Sequence, residues 1–532
     1  MSGVAARLLP LPTSVAEHDG ELGLGSGLAV AGSPGTAELI RTLLGEGLGL
    51  SVLPRSAASD GAVVLTVSEG HHPRGGYRLA VSSHDIEIDH ADPEGLVNAV
   101  QTLKQLMPDS VYGRGSLPSQ VISLPTVTII DAPALAWRGV HLDVARHFQP
   151  LSFLYDFVDA LALHKINICH LHLTEDQGWR FEVKKYPKLT QIGAWRTGTR
   201  FPDWEASDEV PHGGYYTQDQ LRALNHYAKV RGVTIVPEID LPGHTVALLA
   251  AHPEYGEPSN LPDAVATTFG IFTEVLHPDR HTVEMVTDVL AELLDVFDSP
   301  WIHVGGDECP REQWRNSARA AELADEYGLE SVDHLQRWFT EQLRVWLAAR
   351  GRTLVGWDEI IDEAEVPGAV VMSWRGIEPG LRALEAGHQV IMAPTTPLYL
   401  DFYQSEDAAE PRAIGGLNTW QDVAAYDPYA GIGEDRRGQL IGIQSQLWSE
   451  YLVDSRRVEY AAFPRVSAMA EVAWRGAPAE VAEFESRLAV HLGRLAARGV
   501  SFRPLAGPHP WQAGGGRYRR VASPAVAEGD GH

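Results

Sequence analysis

The 532-residue sequence predicts an α/β protein, a (β/α)8 barrel of the TIM type preceded by a small α+β domain. Three observations predict it. Residues up to about 130 hold short alternating runs separated by turn residues. After Asp131-Ala-Pro133 the pattern changes to strand, loop and helix, repeated. That second part contains eight apolar runs that read as strands covered on both faces. A doubly wound open sheet is the alternative, but the glycine-rich phosphate loop normal after its first strand is not seen. The expected boundaries are 1–130 for a non-catalytic N-terminal domain, 131–510 for the barrel, and 511–532 for a flexible C-terminal tail.

In the first part, Ala62–Val67, Tyr77–Ser82 and Ile86–Asp89 alternate and read as antiparallel strands, with Arg74-Gly-Gly as a turn. A helix is expected from Pro93 to about Met107, and this domain shows no evident chemistry. The barrel strands are expected at Gly139–Ala145, Asn167–Leu173, Thr234–Asp240, Trp301–Glu308, Thr353–Glu359, Ala369–Trp374, His388–Pro394 and Leu440–Trp448. Between them, a helix from about Gln218 to Arg231 has Thr217 and Gln220 as a capping box and stops at Gly232. Another runs from about Val332 to Arg350.

The net charge of −27 argues against non-specific binding to nucleic acid or to an anionic membrane. Two cysteines, Cys169 and Cys309, exclude a disulfide framework or a cysteine zinc site. No window of about eighteen apolar residues appears, and the N-terminal stretch lacks the apolar core of a secretion signal. Cytoplasm is the expected location. Oligomeric state is not legible.

Active sites of this fold sit at the C-terminal rim of the strands, and polar and aromatic residues gather there. The strand ends carry His172 and Glu175-Asp176; Glu238, Asp240 and His244; Asp307-Glu308; Trp357-Asp358-Glu359; Trp374-Arg375; Tyr399 and Asp401; and Trp448-Ser-Glu450. The start of the first strand carries Trp137-Arg138. Flat aromatics flanked by carboxylates suit a sugar ring, whose C–H face stacks on indole while its hydroxyls take polar partners.

Asp307 and Glu308 follow two glycines, which remove side chains where something must approach closely. Two adjacent buried acids have their pKa values pushed apart, so that one stays protonated while the other is an anion. A helix N-cap followed by a first-turn acid is the plain alternative for this pair. Glycosidases commonly set two carboxyls on opposite sides of the bond, and neighbours in sequence fit that poorly. They fit better if the nucleophile belongs to the substrate, as the carbonyl oxygen of a 2-acetamido sugar does.

These motifs resemble glycoside hydrolase family 20, the β-N-acetylhexosaminidases. The resemblance is carried in order by Trp137-Arg138…Asp143-Val-Ala-Arg146-His147, His170-Leu-His172-Leu-Thr-Glu-Asp176-Gln-Gly-Trp179-Arg180, Pro237-Glu-Ile-Asp240-Leu-Pro-Gly-His244, His303-Val-Gly-Gly-Asp307-Glu308, Gly356-Trp357-Asp358-Glu359 and Ser373-Trp374-Arg375-Gly376. It implies hydrolysis of terminal non-reducing β-linked N-acetylglucosamine or N-acetylgalactosamine by a retaining, substrate-assisted mechanism, with no metal and no cofactor.

On the matched positions, Glu308 is implied as general acid/base, Asp307 as the group that orients the acetamide, and Tyr399 as donor to its oxygen. Asp176 and His244 are implied as a supporting relay, with Asp176 chosen over Glu175 by the match alone. Trp357, Trp374 and Trp448 are implied as walls. Arg138 and Glu450 are implied as partners of the 3- and 4-hydroxyls, Asp401 of the 4- or 6-hydroxyl, and Trp420 as a platform for the next sugar. The loops Gly256–Thr273 and Asp401–Gly438 are expected to shape the entrance.

Two rival readings stay open on the residues alone. His170 and His172 share a strand face and, with His244 and nearby acids, suit a metal-dependent barrel hydrolase. A sugar-binding protein without catalysis is the other, although a costly carboxylate pair has little purpose there.

Overall fold

The computed structural model describes residues 3–513 apart from 26, 59, 116–120, 202–205 and the side chain of 46. The expected tail beyond 513 lies outside the described residues.

The N-terminal part is a seven-stranded sheet ordered Ser14–Leu24, Ile122–Asp131, Tyr77–Val81, Asp85–His90, Val63–Glu69, Leu28–Ala31, Val52–Pro54. Tyr77–Val81 pairs antiparallel with both its neighbours, but Val63–Glu69 runs parallel to Asp85–His90. The sheet is therefore mixed, where the alternating runs suggested an antiparallel one. Alternation reports a half-buried face and carries no direction. The helix Pro93–Gln105 covers the sheet and begins where Asp92 accepts from the Gly95 amide at 2.8 Å.

Asp131 ties this part to the barrel. Its carboxylate accepts from Lys165 Nζ at 3.0 Å, Tyr77 at 2.9 Å and Trp474 Nε1 at 2.9 Å.

Eight parallel strands then close a barrel: Trp137–Asp143, Ile168–His172, Thr234–Glu238, Trp301–His303, Thr353–Trp357, Val370–Ser373, Gln389–Met392 and Leu440–Ser445. Their central residues are buried on both alternations. Each apolar run read from the sequence extends past the end of its strand. The overhang is the rim, where the backbone leaves the ladder and side chains turn to the centre. The helix Gln218–Val230 has the Thr217/Gln220 capping box, and Leu335–Ala348 follows a short 3₁₀ turn at Val332–His334. Among the described residues, no helix is long and apolar enough to cross a membrane.

Candidate active site

The rim residues enclose a pocket of about 410 Å³. Its floor and walls include Asp307, Glu308, Trp357, Trp374, Tyr399 and Trp448, with Arg146, Asp401 and Glu450 among the polar groups.

Local backbone geometry presents the acid pair. The fourth strand ends at His303, and the chain turns through Gly305 (φ 68°) and Gly306 (φ 104°). A Cβ on Gly305 would lie 1.6 Å from Asp240 Oδ1, so no side chain fits there. Glu308 itself is held at φ 44°, a costly left-handed conformation for a non-glycine residue, as is His244 at φ 52°. The turn leaves the Asp307 side chain deep, 11% exposed, and the Glu308 side chain 35% exposed at the mouth.

His244 Nε2 lies 3.7 Å from a carboxylate oxygen of each acid. Its Nδ1 lies 2.7 Å from Glu175 Oε1 and 3.3 Å from Asp176 Oδ2. Burial disfavours a charged imidazole, but Glu175, Asp176 and Asp307 outweigh it and raise the His244 pKa well above its ordinary value. Glu175 is held well below the usual carboxylate range: burial opposes this, and Arg146, His244 and His172 together win. Burial and the Glu175 charge push Asp176 up to about 6. Both acids therefore lie against His244, with Glu175 the closer partner.

Burial raises Asp307, against the pull of His244. Burial and then the Asp307 charge raise Glu308. Tyr399, buried, stays a neutral phenol well above its ordinary value and keeps its proton to donate.

The indole walls are fixed from behind. Trp357 Nε1 donates to Glu238 at 3.0 Å, and Trp374 Nε1 donates to Glu359 at 2.9 and 3.1 Å. Burial and the charges of Asp307 and Asp358 lift Glu359 to about 8. Trp374 stacks near Tyr399, with ring centroids 6.2 Å apart at 25°.

Two sequence expectations are corrected. Arg138 is outside the pocket, because it stands at the start of the first strand, at the opposite mouth of the barrel. Its guanidinium donates to the Leu135 and Lys165 carbonyls and pairs with Glu94 at 2.6 Å. The rim lies roughly 17 Å away, at about 3.3 Å per strand residue. Trp420 is also outside. It opens the short helix Trp420–Ala424 and is buried against Phe484, 5.8 Å between rings. A helix packed on the barrel exterior turns its first apolar residue into the core.

Arg146 occupies the place expected of Arg138. It lies just beyond the first strand, 3.2 Å from Asp143, 2.9 Å from Glu175 and 3.4 Å from Glu450, over the Trp448 ring. The rim rule itself pointed there, because Asp143-Val-Ala-Arg146 is the end of the strand and Trp137-Arg138 its beginning. Glu238 and Glu359, the groups that fix the indoles, carried no sequence signal beyond their place at strand ends.

The histidines of the metal reading are divided. His170 Nε2 is 3.0 Å, His172 Nδ1 2.5 Å and His303 Nδ1 2.8 Å from the fully buried Glu238. One carboxylate thus receives three imidazoles and an indole. His244 belongs to the other group, with Glu175, Asp176 and the acid pair. Close clusters with ligand-like spacing exist among the described residues, but none unites His170, His172 and His244.

Three buried carboxylate oxygens of the pocket residues, Asp307 Oδ1, Asp401 Oδ1 and Glu450 Oε2, have no hydrogen-bond partner among the described residues. Burial raises the pKa of all three groups. Such acceptors are expensive unless a ligand supplies hydroxyl or amide donors.

The model of the glycosyl hydrolase family 20 catalytic domain matches residues 135–477, and that of family 20 domain 2 matches 5–132. The chain belongs to glycosyl hydrolase family 20. It is 34% identical over 531 residues to a beta-hexosaminidase of Porphyromonas gingivalis, covering 96% of this chain but only 65% of that longer protein. A Vibrio furnissii beta-hexosaminidase is 32% identical, over 87% of this chain and 76% of the relative. Among solved structures, the family 20 beta-N-acetylhexosaminidase of Streptomyces coelicolor A3(2) superposes with a TM-score of 0.80 at 27% identity, covering 95% of this chain and 99% of that one. The Vibrio harveyi exo beta-N-acetylglucosaminidase, in complex with N-acetylglucosamine, gives 0.81 at 28% identity over 94% of this chain and 78% of its own.

Proposed function

We propose that this family 20 member hydrolyses terminal non-reducing β-linked N-acetylglucosamine or N-acetylgalactosamine, with retention of configuration and with the substrate's own acetamide as nucleophile. The carrying observation is the unequal placement of two adjacent acids. Asp307 is enclosed against His244 at the pocket floor, and Glu308 reaches the mouth, where a leaving group departs.

In the first step the acetamide carbonyl oxygen attacks C1. Glu308, whose pKa is raised by burial and the Asp307 charge, gives its proton to the glycosidic oxygen as the C1–O bond breaks. Asp307 accepts the acetamide N–H, holds the carbonyl in line, and offsets the positive charge that develops on the oxazolinium. Tyr399 donates its phenol proton in a hydrogen bond to the acetamide oxygen. In the second step the Glu308 carboxylate takes a proton from water, which attacks C1 and reopens the ring. Two inversions at C1 leave the configuration unchanged.

Trp357, Trp374 and Trp448 pack on the sugar and exclude water. Arg146, Glu450 and Asp401 take the ring hydroxyls, with Arg146 held ready by Asp143 and Glu175. His244, backed by Glu175 and Asp176, presents a positive charge that favours the anionic form of Asp307 and partly offsets the effect of burial. The leaving group meets Phe269 and Ile271 from one entrance loop and Ile414 from the other, in agreement with the lining of the pocket.

A panel of nitrophenyl β-glycosides with and without the 2-acetamido group, assayed with and without EDTA, tests this reading. Turnover is expected only with the acetamide present and equally in both buffers. Equal rates on plain β-glucosides refute assistance by the substrate.

A further inference from the structure

A second cavity, of about 760 Å³, lies between the N-terminal domain and the barrel helices and shares no lining residue with the sugar pocket. Its charged lining is Arg41, Lys104, Arg114, Arg231 and Arg498 against only Asp156 and Asp159. That excess is a local reversal in a chain of net charge −27.

Most of these cations are paired. Arg114 pairs with Asp156, Arg231 and Arg498 both pair with Asp159, and Arg41 pairs with Glu38 just outside the lining. Lys104 is different. It sits on the helix Pro93–Gln105 with 8% exposure, its ammonium 5.0 Å above the Tyr112 ring. Among the described residues no carboxylate or carbonyl oxygen bonds it. Burial, aided by Arg498 and Arg231 and opposed by Asp159, lowers its pKa to about 8.

Most of the Lys104 side chain is buried while its ammonium faces the cavity with no acidic partner, and an anion there would offset the cost of that partial desolvation. Glu38 and Glu459 stand at the edge of the lining, and even with both counted the described residues keep an excess of positive charge around the cavity. Arg114, Arg231 and Arg498 each keep N–H donors beyond those used in their ion pairs, in the fork geometry that suits a tetrahedral oxyanion. The volume leaves room for an organic group attached to the oxyanion.

We propose that this cavity is a binding site for a tetrahedral dianion of the phosphate class, free or as the monoester of a small molecule, held by Lys104 and the surrounding guanidinium groups. It stands apart from the sugar chemistry and does not depend on it.

The test uses the full chain in buffer free of phosphate and sulfate, with calorimetric titration and thermal unfolding. Inorganic phosphate and a hexose phosphate are the probes, and chloride at matched ionic strength is the control. One equivalent of anion is expected to bind, and at a hundred times Kd to raise Tm by about 2–5 °C. Tighter binding of the hexose phosphate assigns an ester as occupant, and equal binding assigns the free anion. Lys104→Met is expected to weaken binding at least tenfold, to keep the Tm of the parent or exceed it without anion, and to leave sugar turnover unchanged. Lys104→Gln, which keeps a polar end, is expected to lose the same affinity.

Three results overturn the proposal: no difference between phosphate and chloride, undiminished affinity in both Lys104 variants, or a lower anion-free Tm in both. The last would mean that the ammonium already has a partner in the folded protein.

Discussion

Replacing Asp307 by Asn tests the acetamide chemistry most directly. The carboxylate lies 3.7 Å from the His244 imidazole. At that distance two unit charges attract by ~4.5 kcal/mol with an effective dielectric constant of about 20. An amide keeps a hydrogen bond to the substrate but loses the charge that meets the oxazolinium. Loss of one such preorganised interaction costs about 3–4 kcal/mol, or ~10²–10³-fold in kcat. The loss falls on kcat even with a nitrophenyl leaving group, since the charge develops in the cyclisation itself.

Folding should not suffer. Asp307 has its pKa raised by burial. Between its unfolded and folded pKa values the native state therefore binds more protons than the unfolded state, and stability falls as pH rises through that window. Above that window the carboxyl is a net cost to the fold, so Asn holds or raises Tm. Steady-state kinetics on the nitrophenyl 2-acetamido-β-glucoside together with Tm separate the two effects. A kcat within threefold of the parent, at unchanged Tm, would falsify the role given to Asp307.

Further expectations follow from the same geometry. Glu308→Gln should lose about 10²–10⁴-fold on a disaccharide and far less on a nitrophenyl glycoside, whose departure needs little protonation; equal losses on both contradict the acid role. Arg146→Met should cost about 1.5–3 kcal/mol in kcat/KM through lost charged hydrogen bonds to the sugar. Arg138→Met should leave KM alone and lower Tm, because Glu94 loses its buried partner. A KM effect at Arg138 with none at Arg146 reverses the assignment. In the pH profile of kcat/KM on a disaccharide, the basic limb reports loss of the Glu308 proton. The Asp307 charge raises that pKa, so Asp307→Asn should move the limb to lower pH; an upward or absent shift counts against the pair.

Much of the site was legible because rim chemistry in a barrel is tied to strand ends, and strand ends are marked by where an apolar run stops. Asp307, Glu308, Trp357, Trp374, Trp448 and Glu450 stand at or just past such stops, Tyr399 and Asp401 follow one after a short helix, and all line one pocket. Arg138 failed because a strand has two ends, and it stands at the one that faces away from the site. Trp420 failed because an indole in a loop-to-helix segment looks alike in sequence whether it faces sugar or core.

By itself the sequence determined the periodicities, and with them eight buried strands, a sheet-and-helix domain ahead of them, and a twin acid behind two glycines. Those features are local, written in which neighbours are apolar and in where a Cβ is missing. Only the tertiary structure decided that the N-terminal sheet is mixed and that Glu175 is the nearer partner of His244. It also decided that Glu238 gathers three imidazoles and an indole, and that Lys104 faces a cationic cavity. Each of these depends on residues far apart in the chain, and on charges whose burial and spacing exist only once the barrel has closed.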